Sequence, residues 1–406
     1  MMEHPGRQRR RNTRRRASRF AGRLFAGLVL GLTLWAGCSK DPDPVPVTPA
    51  TPYPFTIPKF FPTNLNIPAG NPTTVEGVAL GRLLFYDGRL SGRTHPDSLM
   101  SCGTCHLQER SFECGIDHPS FPDGHPRGLT GIPTPHAMMP LINLVWNSSG
   151  YLWNGMVYPE NPVAGLRNIE DFTRMAIVAP HEIHGDTART VALIQSIPGY
   201  PELFGKAFGS NRVTVGNMGK AIAQFVRTLV SADSRFDRFM RGELQLTPSE
   251  RSGYVLFMTE EGGDCFHCHG GEANPLFTTG LFYNNAKDTV FSAPGDRYTV
   301  TGDPADIGAY KAPTLRNLVF TAPYMHDGRF RTLDEVLAFY NTGLVWSPYV
   351  NPLMHHISTQ GTRLTPTELA DLKAFLLSLT DSSFTVNPAF SRPLAFPGES
   401  DYKGHP

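Results

Sequence analysis

The sequence predicts an all-α fold, two helical units linked by long loops, and three observations predict it. Apolar residues recur at helical spacing over Gly216 to Met240, and three later segments open with helix-start chemistry. No sustained alternation of apolar and polar residues marks a strand. The pattern Cys-x-x-Cys-His occurs twice, at Cys102 to His106 and at Cys265 to His269, once in each half of the chain.

Along the chain the N-terminus comes first. Nine Arg lie within residues 1 to 23, and Leu24 to Ala36 is an apolar run too short to span a bilayer and suited to the core of an export signal. Trp35-Ala36-Gly37-Cys38 resembles a bacterial lipobox with Trp where Leu is usual, so Cys38 is the expected lipidation site and new N-terminus. Ser39 after it favours the outer membrane. The expected location is therefore the periplasm of a Gram-negative bacterium, free or anchored to the outer membrane by lipid. Asp41 to Pro62, rich in Pro and Thr, reads as an extended tether.

Removing residues 1 to 37 takes away nine Arg and one Glu, which moves the formal net charge from +1 to −7. An acidic chain disfavours nucleic acid as a partner and suits a basic electron-donor protein; a solvated acidic surface serving solubility is the alternative.

The paired motif has one chemistry that uses every position. The two thiols of each copy form thioethers to the vinyl groups of a haem, and the adjacent His supplies the proximal iron ligand. Cys102, Cys105 and His106 would hold one haem c, and Cys265, Cys268 and His269 a second. A zinc ribbon keeps its Cys pairs about 15–20 residues apart, whereas these lie in opposite halves. Each haem is a large apolar plate that organises a loop-rich segment, which accounts for 36 Pro and 39 Gly in an all-α chain. The expectation is a signal peptide over 1–37, a tether over 38–62, cytochrome-c-like haem domains over 63–240 and 241–385, and a tail over 386–406.

Further helices are expected from Thr247-Pro248-Ser249-Glu250, over Thr332 to Tyr340, and over Thr365 to Leu379 behind Thr365-Pro366-Thr367-Glu368. The Thr-Pro starts combine a capping hydroxyl, a Pro at the first helical position and an acidic first turn.

Leu80 to Asp87, Arg89-Leu90-Ser91, the 216 to 240 segment, Ala312 to Asn317 and Thr321 to Gly328 lie around the two motifs in an order that resembles the bacterial di-haem cytochrome c peroxidases and their MauG-type relatives. The resemblance runs from about residue 75 to 380 and implies a reaction: hydrogen peroxide is reduced to water at an N-terminal haem with an open face. Electrons arrive through a second, six-coordinate haem from a small donor protein, a cytochrome c or a cupredoxin. Family peroxidases are often dimers, so a homodimer is part of the analogy.

The resemblance also implies site residues. Counting from His326 in the A-P-Y-x-H stretch reaches Tyr340, where MauG-type enzymes carry a Tyr ligand to the second iron and peroxidases a Met; a core aromatic, with Met325 or Met354 as ligand, is the alternative. Ile177 to Ile183, which reads Pro180-His181-Glu182-Ile183 at its end, resembles the family's distal stretch of Pro followed by Glu-Met, with Ile for Met and a shorter step from the Pro; the resemblance makes Glu182 the distal acid/base, flanked by His181 and His184. Trp153, in Tyr151-Leu152-Trp153-Asn154-Gly155, matches an F-W-D-G stretch whose Trp relays electrons, with Asn in place of Asp.

His118, His125 and His136 follow the first motif, but none sits where some family members place a switching His. Thr321 and Pro323 match carbonyl ligands of a family calcium ion, while the Asn position falls at about Ala137. Cys114 is left over and reads as a buried thiol. Three functions compete: peroxide reduction, MauG-type oxidation of a protein or small-molecule substrate, and non-catalytic electron transfer. Peroxide reduction is favoured, because it suits a lone, tethered enzyme.

Overall fold

The computed structural model describes residues 49–398 except 119, 122, 160–164, 272–273 and 292–294. The export signal, Cys38, the first part of the tether and positions 399–406 of the tail lie outside the described residues.

Among the described residues the fold is helical. The first half holds α1 (Val75–Tyr86), α2 (Cys102–Cys105), α3 (Ile169–Val178), α4 (Thr187–Ser196), α5 (Tyr200–Phe208) and α6 (Val215–Arg227). There follow α7 (Arg235–Met240), α8 (Pro248–Phe257), α9 (Phe266–His269), α10 (Tyr298–Thr301), α11 (Leu333–Thr342) and α12 (Pro366–Ser378). Described sheet is confined to β1 (Phe282–Tyr283) and β2 (Tyr310–Lys311), antiparallel, with Phe282 opposite Lys311 and Tyr283 opposite Tyr310.

Cap chemistry sets the helix starts. Thr247, Thr332 and Thr365 begin α8, α11 and α12, and each closes a reciprocal box with the Glu three residues on. In α8 the Glu250 carboxylate accepts the Thr247 N–H at 2.7 Å while the Thr247 hydroxyl accepts the Glu250 N–H at 3.2 Å, so two otherwise orphaned amides are satisfied. The single helix expected over Gly216 to Met240 is instead two. The chain bends after Arg227 because the Asp381 carboxylate draws in Ser231 Oγ, the Ala232 N–H and the Asp233 N–H at 3.1, 3.0 and 3.1 Å. Ser234 then opens α7 with a new capping box to Asp237.

Two apolar clusters form around two helix crossings of one design. In the first, α1 lies on α6 so closely that a Cβ on Gly81 would be 1.9 Å from the Ala221 carbonyl oxygen. In the second, α8 lies on α12, and a Cβ on Gly253 would be 1.9 Å from the Asp371 carbonyl oxygen. Phe225 and Phe375 flank the respective contacts. Glycine allows each pair of backbones to touch, and each crossing backs one Cys-x-x-Cys-His segment.

Buried ion pairs tie the clusters to their surroundings. Arg316 is fully buried and forms a fork with Asp237, Nη1 to Oδ2 at 2.8 Å and Nη2 to Oδ1 at 2.6 Å, while its Nε donates to the Pro275 carbonyl at 2.7 Å. Arg227 pairs with Glu170 in the first cluster.

Both ends of the described chain pack onto the body. Phe61, within the expected tether, packs against Trp146 with the rings tilted and their centroids 5.1 Å apart. Phe384, Phe390 and Phe396 bury into the first cluster, and α1 holds this strap through Arg82 Nε to the Ser391 carbonyl at 2.6 Å and Tyr86 Oη to the Phe390 carbonyl at 2.7 Å.

Candidate functional site

Each attachment segment is a single helical turn whose His is anchored by a backbone carbonyl. His106 Nδ1 lies 2.6 Å from the Phe112 oxygen, and His269 Nδ1 lies 3.0 Å from the Pro313 oxygen. Donation from Nδ1 sets the tautomer in which Nε2 keeps its lone pair. Burial pushes both imidazoles down to about 4, so both are neutral at neutral pH. Burial also raises the thiols, Cys102, Cys265 and Cys268 to about 12 and Cys105 further. A neutral His with a free Nε2 beside two un-ionised thiols is the donor set that covalent haem c takes up. The residues therefore fit the group at both motifs, and all six remain partly open although they lie inside the fold.

The second motif opens onto a cleft lined by Cys265, Cys268, His269, Trp153, Met325 and Tyr340, among others. Tyr340, on α11, accepts a hydrogen bond from Asn285 Nδ2 at 3.1 Å, and burial raises its phenol well above the ordinary value. The alternative sulfurs Met325 and Met354 line the same cleft, and Asn285 Nδ2 also lies 3.8 Å from Met325 Sδ. Trp153 is buried, and its indole N–H donates to the Ala137 carbonyl at 2.8 Å. His326 stacks on Tyr310 at 3.5 Å between centroids, with the Trp153 ring edge-on to it at 6.4 Å.

Glu182 lies beyond the end of α3, in a turn closed by its N–H to the Ala179 carbonyl at 3.0 Å. The loop after the first motif passes so close that a Cβ on Gly128 would be 1.7 Å from the Glu182 carbonyl oxygen. Its carboxyl is half-buried with no hydrogen-bond partner among the described residues, and desolvation raises it to about 7. Its charge reaches the first motif, where it adds to burial in raising the Cys102 and Cys105 thiols. His184 is exposed and His181 half-buried on either side.

The loop histidines have other neighbours. His118 stacks on Phe121 at 4.2 Å. His125 places Nδ1 2.9 Å from the Thr134 oxygen and Nε2 3.3 Å from the Asp327 oxygen. His136 packs edge-on to Tyr310 and His326. Thr321 and Pro323 line the second cleft, but position 137 is Ala, whose carbonyl already accepts the Trp153 indole. These residues supply far fewer than the six to eight oxygens a calcium ion takes, so the donors present do not by themselves fit one. Cys114 is buried against the Glu113 carboxyl, Sγ to Oε1 at 3.4 Å.

Asn285 and Tyr310 were not singled out from sequence. Neither carries a spacing signal, because each meets its partner only through the fold.

Comparison with known proteins agrees with this geometry. The family profile described as di-haem cytochrome c peroxidase matches residues 75–245. The chain is 30% identical over 320 residues to the methylamine utilization protein MauG of Methylorubrum extorquens, covering 78% of this chain and 82% of that protein. It is 32% identical over 275 residues to the cytochrome c551 peroxidase of Nitrosomonas europaea, covering 67% and 74% respectively. The crystal structure of a MauG-like protein associated with microbial copper homeostasis superimposes with a TM-score of 0.71 at 32% identity, covering 84% of this chain and 99% of the other. With both attachment motifs, the helical fold and this extent of similarity in agreement, the chain belongs to the di-haem cytochrome c peroxidase/MauG family.

Proposed function

We propose that the protein is a di-haem peroxidase that reduces hydrogen peroxide to water with electrons from a small periplasmic donor, a cytochrome c or a cupredoxin. Family membership implies two haem c groups, peroxide and an electron donor. The observation that carries the finer reading is the half-buried Glu182 carboxyl in the loop over the first motif, with a pKa of about 7 and a charge that reaches Cys102 and Cys105. A group poised there can both take and return a proton at neutral pH.

In this reading Cys102 and Cys105 hold the first haem and Cys265 and Cys268 the second, with His106 and His269 as proximal ligands through Nε2. When bound, the haems supply the site of O–O bond cleavage and the path for the electrons. Glu182 moves a proton from one peroxide oxygen to the other as that bond breaks. Two electrons from the donor and two further protons balance the release of two waters. Trp153, buried on the wall of the second cleft, acts as the relay. Asn285 orients the Tyr340 hydroxyl, which would serve as a further protein ligand to the second haem. Lipid attachment at Cys38 and a homodimer complete the proposal.

Tyr340 favours a second reading, MauG-type oxidation of a protein or other substrate, because a phenolate ligand lowers the reduction potential and supports oxidising equivalents stored on the protein. Steady-state assay of the holoenzyme with reduced cytochrome c and peroxide separates the two. Two donors oxidised per peroxide at sustained turnover is the expected result. Peroxide reacting without donor oxidation would overturn the peroxidase reading in favour of the second.

A further inference from the structure

We propose a separate site for one divalent transition-metal ion, formed by His267, His355 and Glu260 at the rim of the second cleft. The ligand atoms of the three side chains lie within 4.8 Å of one another. His267 Nε2 and Glu260 Oε1 are 3.5 Å apart, within the roughly 3.3–3.6 Å between two ligands in a tetrahedron with bonds of about 2.0–2.2 Å. The two imidazoles stand perpendicular, with centroids 5.0 Å apart.

Asp264 stands behind both rings. Its side chain is only 6% exposed, with Oδ1 2.6 Å from His267 Nδ1 and Oδ2 3.1 Å from His355 Nδ1. Donation of the His267 Nδ1–H to this carboxylate leaves the His267 Nε2 lone pair free, the arrangement that orients a histidine toward a metal, and the same carboxylate sets its charge against His355. The segments meet without help from an ion. His356 Nε2 lies 2.7 Å from the Glu260 carbonyl, and the turn before Asp264 is closed by the Gly263 N–H to the Leu256 carbonyl at 2.7 Å.

A second cluster, Asp288 with His326 and Asp327, meets the same distance criterion but is neutralised by Lys287 and Arg329. No Lys or Arg among the described residues pairs with Glu260 or Asp264. His267 is one of the two variable positions of its motif, so haem attachment leaves it unused. Two imidazoles and a carboxylate suit zinc, copper(II) or nickel and disfavour calcium and magnesium. Water or an external ligand would complete the tetrahedron. This site does not depend on the peroxidase reading.

Titration calorimetry of chelator-treated holoenzyme with Zn2+ tests it. The expected result is one saturable Zn2+ per chain, no comparable uptake of Ca2+, and affinity at least about tenfold weaker in His355→Ala and Glu260→Gln. Haem absorbance should be unchanged in both variants. Absence of saturable uptake, or uptake unaffected by either substitution, overturns the proposal. X-ray absorption of the wild-type zinc adduct gives a check free of any folding defect: a first shell with two imidazoles supports the site, and an oxygen-only shell sinks it.

Discussion

Glu182→Gln keeps the size and shape of the side chain but removes its charge and its ability to take up and release a proton. With a pKa of about 7, the carboxyl is half ionised at pH 7 and about 1% ionised at pH 5. An ordinary Glu of pKa 4.5 would still be about three-quarters ionised at pH 5. If Glu182 is the base that first takes a peroxide proton, kcat/KM for peroxide should fall on the acidic side of pH 7, approaching a loss of roughly fiftyfold by pH 5. The Gln variant should lose about 10²–10⁴ in rate at pH 7, equivalent to about 3–5 kcal/mol of barrier. It should also lose the acidic limb, with both haem spectra intact. The assay is initial-rate donor oxidation between pH 5 and 8 on wild type and variant. A variant within about threefold of wild type, or one that keeps the limb, would refute the assignment.

Other outcomes follow from the packing and the second cleft. Arg316→Met should cost about 3–5 kcal/mol in denaturant unfolding, because it strands the Asp237 carboxylate inside the fold. Burial alone would raise Asp237, but its bonds to Arg316 and Ser234 outweigh burial and hold it below the ordinary range. That stabilisation is present above the unfolded carboxylate pKa and is lost as pH falls through the folded one, so the deficit of the variant should narrow in acid. Gly253→Ala should destabilise by about 1–3 kcal/mol or more, since its Cβ would meet the Asp371 carbonyl at 1.9 Å, whereas Gly70→Ala, in open space, should be near neutral. Equal midpoints for these two glycine variants would contradict the close crossing. Tyr340→Met should raise the midpoint potential of the second haem in a redox titration, and an unchanged potential would remove Tyr340 as its ligand.

What could be read in advance was local. Thr-Pro-Ser-Glu and Thr-Pro-Thr-Glu announced α8 and α12 because a cap is built from neighbours in sequence. The two Cys-x-x-Cys-His segments were equally legible, since porphyrin geometry sets their spacing. The break between α6 and α7 was not, because the carboxylate that bends the chain belongs to Asp381, about 150 residues downstream. Tyr340 was reached by analogy, but its partner Asn285 lies 55 positions away with nothing in the spacing to link them. The strap of Phe384, Phe390 and Phe396 over the first cluster was hidden for the same reason: a spacing of six residues matches no turn of a helix, and nothing in it names the distant cluster the rings cover. Glu182 could be named, but its perturbed carboxyl depends on burial that only the fold supplies.

The proposed peroxidase needs a first iron with a face open to peroxide and a second iron closed by the protein. Electron paramagnetic resonance of the purified ferric holoenzyme tests this most directly. A high-spin signal beside a low-spin one, the high-spin signal changing when peroxide or a small anion is added, is the predicted result. Two low-spin signals inert to peroxide in both the oxidised and the half-reduced protein would contradict the peroxidase and leave an electron carrier.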